Sequence, residues 1–171
     1  GYVDFGNALI GGEGFFVAEM DESDGSIALF TPNIAILNNI AIDHTSLEVL
    51  DGYFQSFIDR SKGKCILNMD NGRLNSLNVP SSAIKYAVDS DNVDLRATNL
   101  VPRPDGINFK VNGLPVCLGV PGKHNVSNAL AALSLSQILD IELSDAITSL
   151  ENFTGIKRRL ETLGTSAENI T

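Results

Sequence analysis

Along the first ninety residues the apolar positions fall into short runs separated by polar turns. Phe15-Phe16-Val17-Ala18 follows the glycine-rich Gly11-Gly12-Glu13-Gly14, and Ile34-Ala35-Ile36-Leu37 follows Pro32 and stops at Asn38-Asn39. Cys65-Ile66-Leu67-Asn68 and Ile84-Lys85-Tyr86-Ala87-Val88 are two more such runs, the former opening into a loop at Met69-Asp70-Asn71. Short apolar runs bounded by turn formers predict buried strands. Between the second and third runs, residues 51–60 place Tyr53, Phe54, Phe57 and Ile58 at helical spacing. Strands alternating with helices predict βαβ units and a parallel sheet.

The pattern changes after Asp89. Residues 93–100, 106–111 and 114–118 are short segments separated by Pro102-Arg103-Pro104-Asp105-Gly106 and by Asn112-Gly113. Asn-Gly between two apolar strands is a strong hairpin signal, so this stretch predicts an antiparallel meander. Two helices follow, over roughly 124–139 and 144–152, the second with Ser144 as its N-cap and Leu143 and Ile147 turned inward. The expected fold class is α/β: a mostly parallel sheet flanked by helices, with a small antiparallel β-meander.

Composition narrows the function classes. The 171 residues suffice for one domain with a core, and 43% hydrophobic against 19% charged residues is an ordinary globular balance. The formal net charge of -9 argues against a nucleic-acid or anionic-membrane partner, both of which call for basic surface. It does not argue against ATP, whose phosphates need only a few local cations. Cys65 and Cys117 form neither a disulfide framework nor a zinc pattern and are expected as buried, reduced thiols. No signal peptide or run of membrane-spanning length is evident, so the expected location is cytoplasmic. The chain opens at Gly1-Tyr2-Val3 without a Met and stops at Thr171 without a terminating element, which reads as a piece of a longer protein.

Four segments carry candidate chemistry. In Pro121-Gly122-Lys123-His124-Asn125-Val126-Ser127-Asn128 a Pro-Gly break precedes an apolar run, which is a helix start. Asn125 and Asn128 are three apart and share a face, and a side-chain amide offers the paired donor and acceptor that suit a purine edge. The same residues also suit a helix that is merely capped. Glu19, Asp21, Glu22 and Asp24 follow a predicted strand, where hard carboxylate oxygens would suit Mg²⁺, though composition alone favours a solvated acidic loop. His44 follows Asp43, as a metal ligand or as a structural hydrogen-bonder. Arg158 and Arg159 would suit a transferring phosphoryl group or a basic surface patch.

These segments together resemble the Mur ligases, the ATP-dependent amide-forming enzymes of peptidoglycan precursor synthesis. Residues 122–132 are similar to the family's G-[RK]-H-N-x-x-N-x-x-A-A box. Ala18-Glu19-Met20-Asp21-Glu22-Ser23-Asp24, Asn39-Ile40-Ala41-Ile42-Asp43-His44 and Phe153-Thr154-Gly155-Ile156-Lys157-Arg158-Arg159-Leu160-Glu161 match three further boxes in the same order. The resemblance implies ATP and Mg²⁺ as cofactors. It implies Glu19 and His44 as metal ligands and catalytic residues, with Asn39 shaping the loop that leads to His44. His124, Asn125 and Asn128 would bind the nucleotide, and Arg159 would reach its phosphate and act catalytically.

The roles of Asp21, Glu22 and Asp24 stay open, with loop shaping as one of them. The D-E-S-D form at 21–24 leans toward the branch that joins L-alanine to UDP-N-acetylmuramate. Residues 53–59 lack the lysine that other branches place after the His, which disfavours those adding D-glutamate or the third residue. The runner-up branch is the murein tripeptide recycling ligase, and a non-catalytic nucleotide-binding homologue is the alternative of another class. The family's G-T-x-G-K-[ST] P-loop, expected before the acidic box, does not occur in these residues. Residues 1–155 are therefore expected to be part of the central ATP-binding domain, with 156–171 leading toward a C-terminal domain. The isolated piece is expected to be inactive and to self-associate through an uncovered apolar face.

Overall fold

A computed structural model describes residues 14–20, 22–23, 25–40, 46–153 and 155. Six strands form one sheet in the order β1-β2-β3-β4-β5-β6, numbered along the chain. They are β1 (Ala35–Leu37), β2 (Cys65–Asn68), β3 (Ile84–Ala87), β4 (Leu95–Arg103), β5 (Gly106–Val111) and β6 (Leu114–Leu118). The first four run parallel, and the two pairings of the meander, β4 with β5 and β5 with β6, are antiparallel. The mostly parallel α/β class is as expected. The meander is a continuation of the parallel sheet rather than a separate layer, because β4 pairs with β3 on one side and β5 on the other.

Helices cover the two faces unequally. Helix α1 (Leu47–Arg60) starts four residues earlier than its aromatic spacing suggested and crosses from β1 to β2. It buries Leu50, Phe54, Phe57 and Ile58 against Ala35, Leu37, Cys65 and Leu67. The alternate strand residues face the other way: Ile66, Tyr86, Leu95 and Ala97 pack with α2 (Lys123–Ile138) and α3 (Leu143–Glu151). This alternation is the period-two geometry of strands buried on both faces. Helix α2 is buried around much of its circumference, and its two buried serines satisfy their hydroxyls on the helix itself. Ser134 donates to the Leu130 carbonyl at 2.8 Å and Ser136 to the Leu133 carbonyl at 2.7 Å.

Several local expectations change. Phe15, Phe16 and Val17 are 76%, 91% and 78% exposed and form no strand. No described strand lies beyond β1, so this apolar run has no neighbour to pair with or pack under. Ser144 is not the cap of α3; the helix begins at Leu143 with Glu142 before it, so Ser144 already lies in the first turn. Ile147 is buried as expected, while Leu143 is half-buried. Cys117 is exposed rather than buried, because it faces away from the α2–α3 side of the sheet. β4 runs on through Arg103, past Pro102, where the sequence predicts a break between strands. Pro102 pairs with Ile107 near the end of the ladder, where β4 has already shifted register after the left-handed Asn99 (φ 53°). The Asn112-Gly113 hairpin forms as expected, with φ of 50° and 83° at the two turn residues, as a type I′ turn requires.

Candidate nucleotide site at the carboxyl ends of the parallel strands

Because β1, β2 and β3 are parallel, their carboxyl ends meet at one edge of the sheet, and the residues there are polar. Tyr86 on β3 is fully buried, yet its hydroxyl donates to Asn38 Oδ1 at 2.8 Å just past the end of β1. Asn68, the last residue of β2, donates from Nδ2 both to the Asn38 carbonyl at 3.0 Å and to Ser127 Oγ at 3.1 Å. Asn71 donates to Asn39 Oδ1 and, at 3.1 Å, to the Ile40 carbonyl. Residues 38–40 after β1 are thus tied down by the amides of Asn68 and Asn71; the rest of the loop toward His44 lies outside the described residues. Burial pushes the Tyr86 phenol up to about 12; the Ser127 hydroxyl draws it down, and the nearby Asp70 charge pushes it up further.

Ser127 brings the start of α2 to this edge. Gly122 precedes the helix at φ 100°, a backbone region that L side chains rarely adopt, and a Cβ there would lie 2.6 Å from the His124 ring. The chain therefore turns sharply at Gly122 and presents the first turn over the ends of β2 and β3. The proposed base-binding residues do not behave alike. Asn125 is half-buried and donates from Nδ2 to the Pro121 carbonyl at 2.7 Å, so its amide braces the turn. His124 and Asn128 are exposed, and neither makes a side-chain hydrogen bond to any described residue. Asn128 thus keeps a free donor–acceptor pair at the helix start, beside the polar shelf.

Glu19 is exposed, and Met20 packs against the α1 side of the core. The turn that follows is anchored by Ile27, which is buried, and by Gly25, where a Cβ would lie 2.8 Å from the Tyr53 ring. Glu19 therefore follows an exposed extended segment rather than a buried strand. Asp21, Asp24, Asp43, His44, Arg158 and Arg159 lie outside the described residues. Among the described residues, no three His, Cys, Asp or Glu side chains gather as a metal site.

The polar shelf was not legible as a unit. Asn38, Asn68 and Asn71 stood at run ends in the sequence, and Tyr86 was one polar-tipped residue in an apolar run. Their convergence depends on strand register, with Leu67 opposite Lys85 and Asn68 opposite Tyr86. A polar residue closing each of several buried runs is the signal that could have found it.

A family model described as the Mur ligase middle domain matches residues 5–136. The chain belongs to the Mur ligase family. A UDP-N-acetylmuramate–L-alanine ligase from Dictyoglomus turgidum is 34% identical, over 96% of this chain and 38% of its own length. A ligase of the same name from Persephonella marina is 35% identical, over 91% of this chain and 36% of its own. The chain thus spans little more than a third of these curated relatives. Among solved structures, a UDP-N-acetylmuramate-alanine ligase from Thermotoga maritima superposes with a TM-score of 0.71 at 24% identity. That match covers 84% of this chain and 34% of the other and shows the Mur ligase fold. The shelf and the α2 turn are accordingly features of a Mur ligase middle domain.

Proposed function

We propose that this Mur ligase chain is the central nucleotide-binding part of a ligase that joins L-alanine to UDP-N-acetylmuramate at the expense of ATP. The observation that carries the reading is the identity of 34–35% to ligases of that name over nearly the whole chain. When bound, ATP with Mg²⁺ supplies the phosphoryl group that activates the muramate carboxylate as an acyl phosphate, which the amine of L-alanine then attacks. The chain's own residues bind and orient. Asn128, with its unengaged amide, and the exposed His124 suit the base, while Asn125 holds the turn from which they project. Glu19, an exposed carboxylate, suits a hard cation. His44 as a second metal ligand and Arg159 on the phosphate rest on the family boxes alone. A reaction on ATP and a UDP-sugar belongs to the cytoplasm, and among the described residues no helix is long and apolar enough to cross a membrane.

The test uses the full-length protein. Phosphate release should depend on ATP, UDP-N-acetylmuramate and L-alanine together, and mass spectrometry should find the alanyl amide. Preference for the L-alanyl-γ-D-glutamyl-meso-diaminopimelate tripeptide would assign the recycling branch instead, and no turnover with either amine would favour a non-catalytic homologue. Asn128→Ala should raise KM for ATP about tenfold with a smaller fall in kcat, as loss of contacts made equally in ground and transition states does. Glu19→Ala should nearly abolish turnover in a folded protein; near-normal rates at saturating Mg²⁺ would remove it from the metal site. The isolated 171 residues should neither hydrolyse ATP nor bind it tightly. They should self-associate through the exposed Phe15-Phe16-Val17 run and the side of β1 that no described strand pairs with, which sedimentation would detect.

A further inference from the structure

One residue beside the shelf has no place in the reading above, yet makes more backbone contacts than any residue in it. Asp70 lies two residues past β2, and its carboxylate accepts three consecutive N–H groups from the loop after β3. Val88 N–H donates to Oδ2 at 2.6 Å, and Asp89 and Ser90 donate to Oδ1 at 3.0 and 2.8 Å. Ser90 Oγ donates back to the Met69 carbonyl at 3.1 Å. The loop it grips is unusual. Residues 88–94 alone carry the chain from β3 into its parallel neighbour β4, with no helix between them. Parallel pairs usually need a dozen residues or more for that crossover. Three charge-assisted bonds from one carboxylate hold the start of this short return. Its far end is held by Asp94, whose Oδ2 accepts the Lys85 N–H at 2.7 Å, and by Arg96, which donates to the Asp89 carbonyl at 3.3 Å and pairs with Asp91.

The gripped loop leads to α2 by two routes. Val88, 6% exposed, buries its side chain in the same cluster as Val126 of the first turn of α2. Asp89 forms an ion pair with Lys123, the residue that opens the helix. Both of its partners are largely exposed, so the pair orients more than it stabilises. Asp70 is also tied to the direct contact, since its own N–H donates to Asn68 Oδ1 at 3.1 Å while Asn68 Nδ2 holds Ser127. Lys123, Val126 and Ser127, the three points reached, interleave with His124, Asn125 and Asn128. Burial alone would push the Asp70 carboxyl up, but the N–H groups of Val88, Ser90 and Asp89 and the Ser90 hydroxyl hold it below the ordinary carboxylate range, so it is ionised at neutral pH.

We propose that Asp70 is a positioning residue for the nucleotide-binding turn: by gripping the loop at 88–90 it sets where the start of α2 stands over the sheet, and so where Asn128 and His124 meet the base. The proposal rests on the reading of that turn as the base site, and the experiment separates the two. Asp70→Asn in the full-length protein keeps the volume but turns an NH2 toward backbone donors. Amide hydrogen exchange without ligand should then rise about tenfold across 123–130, with α1 unaffected, because a strained or broken local anchor lowers local protection only. KM for ATP should rise about five- to tenfold, more than kcat falls, with KM for the other substrates within about twofold. Combined with Asn128→Ala, the effects on KM for ATP should be less than multiplicative, since both act on one contact.

Unchanged exchange at 123–130, or an equal rise throughout the protein, would overturn the positioning role. If exchange rises there while Asn128→Ala alone leaves KM for ATP untouched, the positioning role stands and the base-site reading falls. Should Asp70→Asn fail to fold, Asp70→Glu keeps the charge and displaces the loop by one methylene. Altered exchange at 123–130 together with a raised KM for ATP in that variant supports the role, and wild-type values of both overturn it.

Discussion

Replacing Tyr86 with Phe should change the sign of its effect on stability with pH. The ring is fully buried between β2 and α2, so Phe fills the same space and opens no cavity. What is lost is the hydroxyl, which donates to Asn38 Oδ1 at 2.8 Å. Asn38 is exposed, so water can replace the donor, and the net loss at pH 8 should be about 1 kcal/mol. The alkaline limb runs the other way. The folded phenol titrates at about 12, above its ordinary value of 10. A group whose folded pKa is raised contributes stability that is complete below the unfolded pKa and is lost as pH rises through the folded one. Two units correspond to about 3 kcal/mol, and about 1.4 kcal/mol of it should be gone by pH 11. Wild type and Tyr86→Phe should therefore be equally stable at about pH 10.7, with the variant the more stable by about 0.4 kcal/mol at pH 11 and by more above it. Urea midpoints at pH 8, 10, 11 and 11.5 measure this directly. A constant gap between the two proteins from pH 8 to 11.5 would refute the argument, because it would mean that Tyr86 ionises as readily in the folded state as in the unfolded one.

Gly122→Ala should destabilise the protein by about 1–3 kcal/mol and weaken ATP binding, because φ of 100° is strained for alanine and its Cβ would press on the His124 ring; an unchanged melting temperature would show that the turn relaxes freely. The two thiols should react in order: Cys117, exposed on β6, should be modified by a disulfide reagent at pH 8 well before Cys65, which is buried and whose thiol burial pushes up while the Ser61 side chain lowers it. Equal rates, read from the absorbance of the released thiolate, would contradict the assigned faces of β2 and β6.

The sequence by itself determined the kinds of element and their sequence along the chain. The runs at 34–37, 65–68 and 84–88 became β1, β2 and β3 to within a residue, and Asn112-Gly113 became the hairpin it predicted. These readings succeed because they depend on local chemistry: buried strands need apolar runs, and a two-residue hairpin needs residues that tolerate positive φ. The Pro-Gly break at 121–122 was equally local and marked the opening of α2. Tertiary structure decided what depended on neighbours. Phe15-Phe16-Val17 has the composition of a core strand but no described strand to lie beside, so it stays in water. Cys117 sits in an apolar run but on the face of the meander that no described helix covers. Asn125 and Asn128 looked equivalent at a spacing of three, and only the turn at Gly122 committed one amide to Pro121 and left the other free. Asp70 was an ordinary loop acid until the short return from β3 to β4 brought three N–H groups to its carboxylate. Hydrogen bonds between residues eighteen to fifty-nine positions apart, such as those of Asp70, Tyr86 and Asn68, are set by strand register and helix placement, and no local pattern encodes them.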